Sequence, residues 1–472
     1  MSDLLSIERG AVVAPAGCGK THLVATAFAG LDRSRPVLVL THTNAGVAAM
    51  RGRLRGEGAS PDAYRLGTLD GWAMHLVRTF PARSGVDPAA LEVRDPGRDY
   101  RAIRDAAVAL IGSGDIRGVL RASYSHVIVD EYQDCSVRQH AMIAAMSDVL
   151  PTVVLGDPMQ AIFNFGDDPN ADWDTQVLSV FPVVLELDTP WRWINSGATE
   201  LGDWLLNARV SLASGRGVDL RGAPPAATWI QLDGTNDDAL RSAAARTRPP
   251  GGVGQVLIIG DRFSPSSQQA VAKRTPGAAT VESVELADLV KFAAEFEPTG
   301  PDSLDTLLRF ASRGMTGVPI TTYEARLSSL RAGRARKPAS QFEQAALAYQ
   351  DTPSPTAAEH VLSALARSPA ARVYRPTLVK AAVKTLQLSI GKSASVERVK
   401  VAQRVRDGFR FSGRPLPLRG VGSTLLLKGL EAVVAVVLDA GGLDSKNLYV
   451  AMTRGSRALT VCSRSPVIGA GV

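Results

Sequence analysis

The stretch "GAVVAPAGCGKT", residues 10 to 21, leaves this chain few ways to fold. A run of strand character leads into a loop of small residues, and a helical pattern follows at about residues 20 to 30. The spacing from Ala14 to Gly19-Lys20-Thr21 matches a phosphate-binding loop, with Ala14 in place of the first glycine. Such a loop needs a strand to deliver it and a helix to leave it, because its backbone N–H groups must converge on one phosphate. The prediction is an α/β fold with a parallel sheet, in which Ala16, Gly17, Cys18, Gly19, Lys20 and Thr21 cradle a polyphosphate. Lys20 is expected to bridge the β- and γ-phosphates, and Thr21 to ligate Mg2+.

The same grammar repeats downstream. "PVLVLTHT" (36 to 43), "HVIVDE" (126 to 131) and "PTVVLGD" (151 to 157) read as buried parallel strands. Helices are expected at 44 to 56, 69 to 79 and 136 to 149, with a short, charged, mainly helical insert at about 80 to 122. In "HVIVDEYQD" the strand ends in two carboxylates. Asp130 is suited to the metal's water shell and Glu131 to general-base work on an attacking water. An acidic pair after a strand is often only a solvated turn. The phosphate loop upstream tips the reading toward hydrolysis of a nucleoside triphosphate.

A second α/β pattern is split. "WIQLDG" (229 to 234) and "GQVLIIGD" (254 to 261) supply strands, and the pattern resumes in "STLLLKGLEAVVAVVLDA" (423 to 440) and "LTVCSRS" (459 to 465). The expected organisation is a first domain over 1–190 and a second over 191–264 and 412–472, with a helical domain inserted at 265–411. Charge is uneven: the net is +7, and residues 301 to 420 hold 20 Lys or Arg against 8 Asp or Glu. A basic surface of this kind suits nucleic acid, although arginine-rich helices can also be merely solvated. No apolar run approaches the ~20 residues that cross a bilayer, and "MSDLLSIERG" lacks the marks of a signal peptide. Cys18, Cys135 and Cys462 lie far apart without metal spacing. A cytoplasmic protein without a membrane partner is expected.

Taken in chain order, "VLVLTHTNAGVAAMRGRL" (37 to 54), "DEYQD" (130 to 134), "VVLGDPMQAIFNF" (153 to 165), "LELDTPWR" (185 to 192), "LLKGLE" (426 to 431) and "LYVAMTRGSRAL" (448 to 459) resemble the motifs of UvrD-like superfamily 1 DNA helicases. The resemblance spans roughly 10 to 192 and 423 to 462. It implies two RecA-like P-loop domains, ATP with Mg2+ as cofactors, and single-stranded DNA or a single/double-strand junction as the partner. It also implies roles. Gln160 would sense the γ-phosphate, Arg192 and Arg454 would act as arginine fingers, and Glu431 would lie near the ribose. Thr41, Thr43, Asn44, Thr68 and Trp72 match DNA-contacting stretches. Phe163 and Phe165 match positions that stack bases, though two Phe on an extended segment can also simply face a core.

The departures matter as much. Family members read adenine through a glutamine ahead of the phosphate loop, whereas the first Gln here is Gln133. The family also stacks an aromatic residue on the adenine just before the motif arginine. Here that is Trp191, the largest available π-face, which is expected to carry most of the base recognition, although it could also be a core residue beside Trp193. Gly166 replaces an arginine, Leu425 replaces a histidine, and the 80–122 insert is shorter than in processive members. These differences leave ATP-driven translocation, 3′ to 5′ by resemblance, better supported than processive unwinding. Compact UvrD-like proteins also occur as companions of OLD-family nucleases in anti-phage systems such as Gabija. A nuclease subunit is therefore a candidate partner, in DNA repair or anti-phage defence. The alternative is a regulatory subunit that senses ATP or DNA and gates a nuclease without moving. Stacking does not read a base edge, so Trp191→Ala should weaken ATP and GTP alike, by about 1 kcal/mol. Calorimetric titration with both nucleotides checks this; a loss confined to ATP would contradict it.

Overall fold

The computed structural model describes residues 4–28, 35–163, 167–283, 285–391, 394–411 and 416–470. Its contacts define two compact units, Met1–Trp229 with Leu443–Leu459 and Ser465–Val472, and Ile230–Gly442 with Thr460–Arg464. The boundary expected at 190 falls inside the first unit.

That unit is built on six strands: β1 (Arg9–Val13), β2 (Val37–Thr41), β3 (Tyr64–Thr68), β4 (Val127–Val129), β5 (Thr152–Gly156) and β6 (Val183–Glu186). They lie in the order β3-β2-β4-β5-β1-β6, parallel throughout. Every residue of β2, β4 and β5 is buried. Alternate side chains feed two separate cores. Leu38, Leu40, Val127, Val129 and Val154 enter one, while Val37, Val39, Ile128, Val153 and Leu155 enter the other. A sheet covered on both faces explains why these strands read as unbroken apolar runs.

Helices α1 (Lys20–Thr26), α2 (Asn44–Gly56) and α3 (Leu69–Thr79) each follow a strand. Thr43 caps α2 by accepting from Gly46 N–H, and Thr68 caps α3 by accepting from Gly71 N–H. The helix Val137–Ser147 starts on a reciprocal Ser136/Gln139 capping box. The insert after α3 is helical as expected, and its long helix Pro96–Gly112 packs its apolar face into the first core. Arg104 on that helix forks onto both carboxylate oxygens of Asp70 at 2.7 Å and reaches Asp168 at 2.8 Å. These bonds tie the insert to the start of α3.

The second sheet also has six strands, ordered Ala278–Thr280, Arg419–Gly422, Val256–Ile259, Ala432–Val437, Gly455–Ser463 and Ala227–Gln231. The first four pair in parallel. Helix Pro265–Arg274 and strand Ala278–Thr280 belong to this sheet, so sheet structure continues past residue 264 before the helical region begins. From Ala287 to Phe411 the chain is mainly helical and has a core of its own, in which Phe292 stacks on Phe310 at 4.0 Å. The fold is α/β with two six-stranded sheets and many helices, consistent with two RecA-like domains. Among the described residues no helix is long and apolar enough to cross a membrane.

Because the helical region fills its own core, truncating Phe310 should loosen that region alone. Phe310→Ala is expected to cost ~3–5 kcal/mol, with hydrogen-exchange protection falling across 287–411. Equal loss of protection in β1, β4 and β5 would contradict a self-contained core.

Candidate active site

β1 ends at Val13, and Ala14 N–H donates to Gly156 O at 2.9 Å, so the loop leaves the sheet beside β5. Gly17 and Gly19 both have positive φ, +74° and +87°, a region that other residues rarely enter. The turn they make aims the backbone toward the start of α1, where Lys20 is the first residue.

Lys20 Nζ donates to Glu131 Oε1 at 2.6 Å and Asp130 Oδ1 at 3.1 Å. Burial works against the ammonium, but Asp130 and Glu131 outweigh it and hold the Lys20 pKa above its ordinary value. Burial also pushes the Asp130 carboxyl upward, against the pull of Lys20. Two carboxylates thus share one cation, leaving a net negative charge that would attract a divalent ion. Among the described residues no cluster of three or more His, Cys, Asp or Glu could hold a metal alone. Carboxylate donors of this kind would suit Mg2+ arriving with phosphate oxygens.

Glu131 has φ +59° and ψ +38°, a left-handed conformation that costs a non-glycine residue roughly 1 kcal/mol or more. Its N–H donates to Asp130 Oδ1 at 2.9 Å, and its Oε2 accepts from Gln133 Nε2 at 2.6 Å. The other end of Gln133 accepts from Asp157 N–H at 3.1 Å. Asp157 is fully buried; it takes Gln160 Nε2 at 3.0 Å and both Nε and Nη2 of Arg209, at 3.0 and 2.8 Å. Gln133 therefore links the carboxylate pair after β4 to the "GDPMQ" turn after β5.

The loop is also held from behind. Arg192 N–H donates to Gly17 O at 3.1 Å, and Tyr449 Oη accepts from Ala16 N–H at 3.0 Å. The Trp193 ring fills the space where a Gly17 side chain would start, and its indole N–H donates to Gly455 O at 2.9 Å. Trp193 is only 1% exposed, whereas Trp191 is 50% exposed and lies against Gly19. The two neighbouring tryptophans thus divide the work: one packs and the other is open to a ligand.

Arg192 and Arg454 meet at Thr453. Arg192 Nη1 donates to Thr453 O at 2.7 Å, and Arg454 Nη2 donates to Thr453 Oγ1 at 3.0 Å. Arg454 is buried, with Nε on Val450 O at 2.8 Å. Glu431 is exposed and immediately precedes the strand Ala432–Val437 of the second unit. Burial, with Asp157 nearby, pushes the Cys18 thiol up to about 12, so Cys18 is a packing group.

Thr43, Asn44 and Thr68 lie at the carboxyl ends of the neighbouring strands β2 and β3. Thr43 and Thr68 accept the helix-capping N–H groups on their hydroxyl oxygens, which leaves each O–H to donate, and Thr41 is buried. The structure corrects the reading of Trp72. It is 7% exposed within the first core, and its indole N–H points to Tyr124 Oη at 3.4 Å, so its face is spent on packing. Phe163 is half-buried just beyond Gln160; Phe165 and Gly166 lie outside the described residues. Sequence reasoning passed over Asp157, Arg209 and Tyr449 as site residues. Asp157 and Tyr449 stand inside quoted motifs. Arg209 is outside all of them, on an ordinary-looking helix, Thr199–Ala213.

Residues 5–166 match a family described as an AAA domain, a P-loop domain found in UvrD- and Rep-type helicases. The first unit carries a P-loop domain of a type found in helicases. No curated protein matches the chain. The matched span contains the loop, Lys20, the Asp130–Glu131 pair and Gln160, and its domain type is that of nucleotide hydrolases.

A methyl group at Gly17 would lie 2.5 Å from the Trp193 ring at a backbone angle that disfavours it. Gly17→Ala should therefore weaken nucleotide binding about five- to thirtyfold (~1–2 kcal/mol), read by titration with a fluorescent ATP analogue. Unchanged affinity would contradict the packed rear of the loop.

Proposed function

We propose that this protein is a DNA-dependent ATPase of the UvrD-like type that translocates 3′ to 5′ on single-stranded DNA. The observation that carries the proposal is the Lys20 ammonium held between Asp130 and Glu131 at the end of a doubly left-handed glycine loop. That arrangement suits one reaction class. Lys20 and the loop amides other than those of Ala16 and Cys18, which Tyr449 and Pro15 O hold, would bind the phosphates. Asp130 and Thr21 would hold Mg2+, which would neutralise developing charge, and Glu131 would take the proton of the attacking water. Gln133 holds the Glu131 carboxylate from its far side and so orients it.

Arg192 and Arg454 serve as the arginine fingers, each needing to exchange its bond at Thr453 for a phosphate oxygen. Trp191, open beside Gly19, supplies the stacking face for the base. DNA passes over the carboxyl ends of β2 and β3, at Thr43, Asn44 and Thr68, and past Phe163. A nuclease subunit is the proposed protein partner, on the grounds of compactness and resemblance; pull-down with the tagged chain from its native host tests that part separately.

Streptavidin displacement from single-stranded oligonucleotides tests the motor itself. ATP-dependent displacement from the 5′ end and not the 3′ end is expected for 3′ to 5′ movement. ATP hydrolysis without displacement from either end would favour a subunit that gates a partner and stays in place.

A further inference from the structure

Asp157 is a fully buried carboxylate at the corner between the two halves of the proposed reaction cycle. On one side its backbone N–H reaches Gln133 and through it Glu131. On the other side it starts the short helix Pro158–Gln160, beyond which lies Phe163, the residue proposed above to meet DNA. Its Oδ2 holds the Gln160 amide and its Oδ1 caps Met159 N–H at 3.2 Å. A carboxylate in such a place persists only with a charge partner. Arg209 supplies it, through two nitrogens on Oδ1, with a largely buried side chain.

Arg209 also stands in a telling position along the chain. Its helix, Thr199–Ala213, follows directly on Trp191–Asn195, which carries Trp191 and Arg192 against the phosphate loop. Gly202 has no room for a side chain against Pro190 and Trp193, so this helix is seated tightly on that segment. A shift of the segment beside the nucleotide therefore moves Arg209, and with it the charge that fixes Asp157.

We propose that Arg209 is a positioning residue that couples ATP hydrolysis to DNA: through Asp157 it fixes Gln160 and the segment leading to Phe163. The inference rests on the DNA-dependent ATPase reading. With Arg209 removed, the Asp157 carboxylate loses its charge partner, its hold on Gln160 and Met159 weakens, and the segment between nucleotide and DNA loosens. Glu131 lies further along the same chain, through Gln133, and Lys20 beyond it, so basal turnover should fall less than the DNA-stimulated rate.

The test measures ATP turnover of the full chain with and without oligothymidylate, for wild type, Arg209→Lys, Arg209→Gln and the pair Arg209→Gln with Asp157→Asn. The paired variant removes the stranded charge, so it keeps the question answerable if Arg209→Gln fails to fold. The ratio of DNA-stimulated to basal kcat should fall about tenfold in the Gln variants, and Arg209→Lys should recover part of it. The KM for ATP should change little. A merely structural role would lower both rates in proportion and leave the ratio intact, and that result would overturn the proposal. Wild-type turnover indifferent to DNA would overturn the DNA-dependent reading and this inference with it. Wild-type stimulation that survives in the paired variant would overturn the inference alone.

Discussion

The bond between Lys20 and the Asp130–Glu131 pair is the contact on which the rest of the first unit turns. Removing one partner of such a largely buried group strands the other at a cost of ~3–5 kcal/mol, so the fold must bring all three together accurately. It does so through strand order. β1 delivers the loop, β4 delivers the carboxylates, and β5 lies between them in the sheet. The turn after β5 then reaches the same point, where Asp157 N–H meets Gln133. Sequence separation of more than a hundred residues collapses to hydrogen-bond distance because three parallel strands end on one side.

Around that contact the protein uses packing to hold the loop and polar bonds to connect it. Trp193 closes the rear of Gly17, Tyr449 caps Ala16, and Arg192 N–H ties the loop to the segment that carries Trp191. A nucleotide therefore meets a loop already shaped, with little ordering left to do on binding. The polar chain from Glu131 through Gln133 to Asp157, Gln160 and Arg209 is satisfied at each step. Such a network has few alternative arrangements, which suits it to transmit a change at one end to the other.

Much of this was legible in the sequence. The strands at 37–41, 127–129 and 152–156 and the helices at 44–56 and 69–79 fall where apolar runs and Thr caps indicate. Strands β3 and β6 escaped notice for a physical reason: they are the two edges of the sheet. Edge strands are only partly covered, and "VVLE" of β6 is mostly exposed, so the buried-strand signal is absent. The meeting of Lys20 with Asp130 and Glu131 could be expected because each sits at a fixed offset from a strand end. Trp72 misled because a helix-start aromatic looks alike whether it turns outward or into a core; only packing distinguishes the two. Arg209 had no signal at all. Its partner Asp157 lies in another element, and one arginine on an amphipathic helix reads as a surface charge until the carboxylate opposite it is seen.

The central claim is that the Lys20–carboxylate site turns over ATP under the control of DNA. Steady-state hydrolysis by the purified chain, with and without single-stranded oligothymidylate and with Lys20→Ala as the blank, tests it most directly. Strong stimulation by DNA that disappears in Lys20→Ala is the predicted result. A rate that is indifferent to DNA, or that survives the loss of Lys20, would contradict the account.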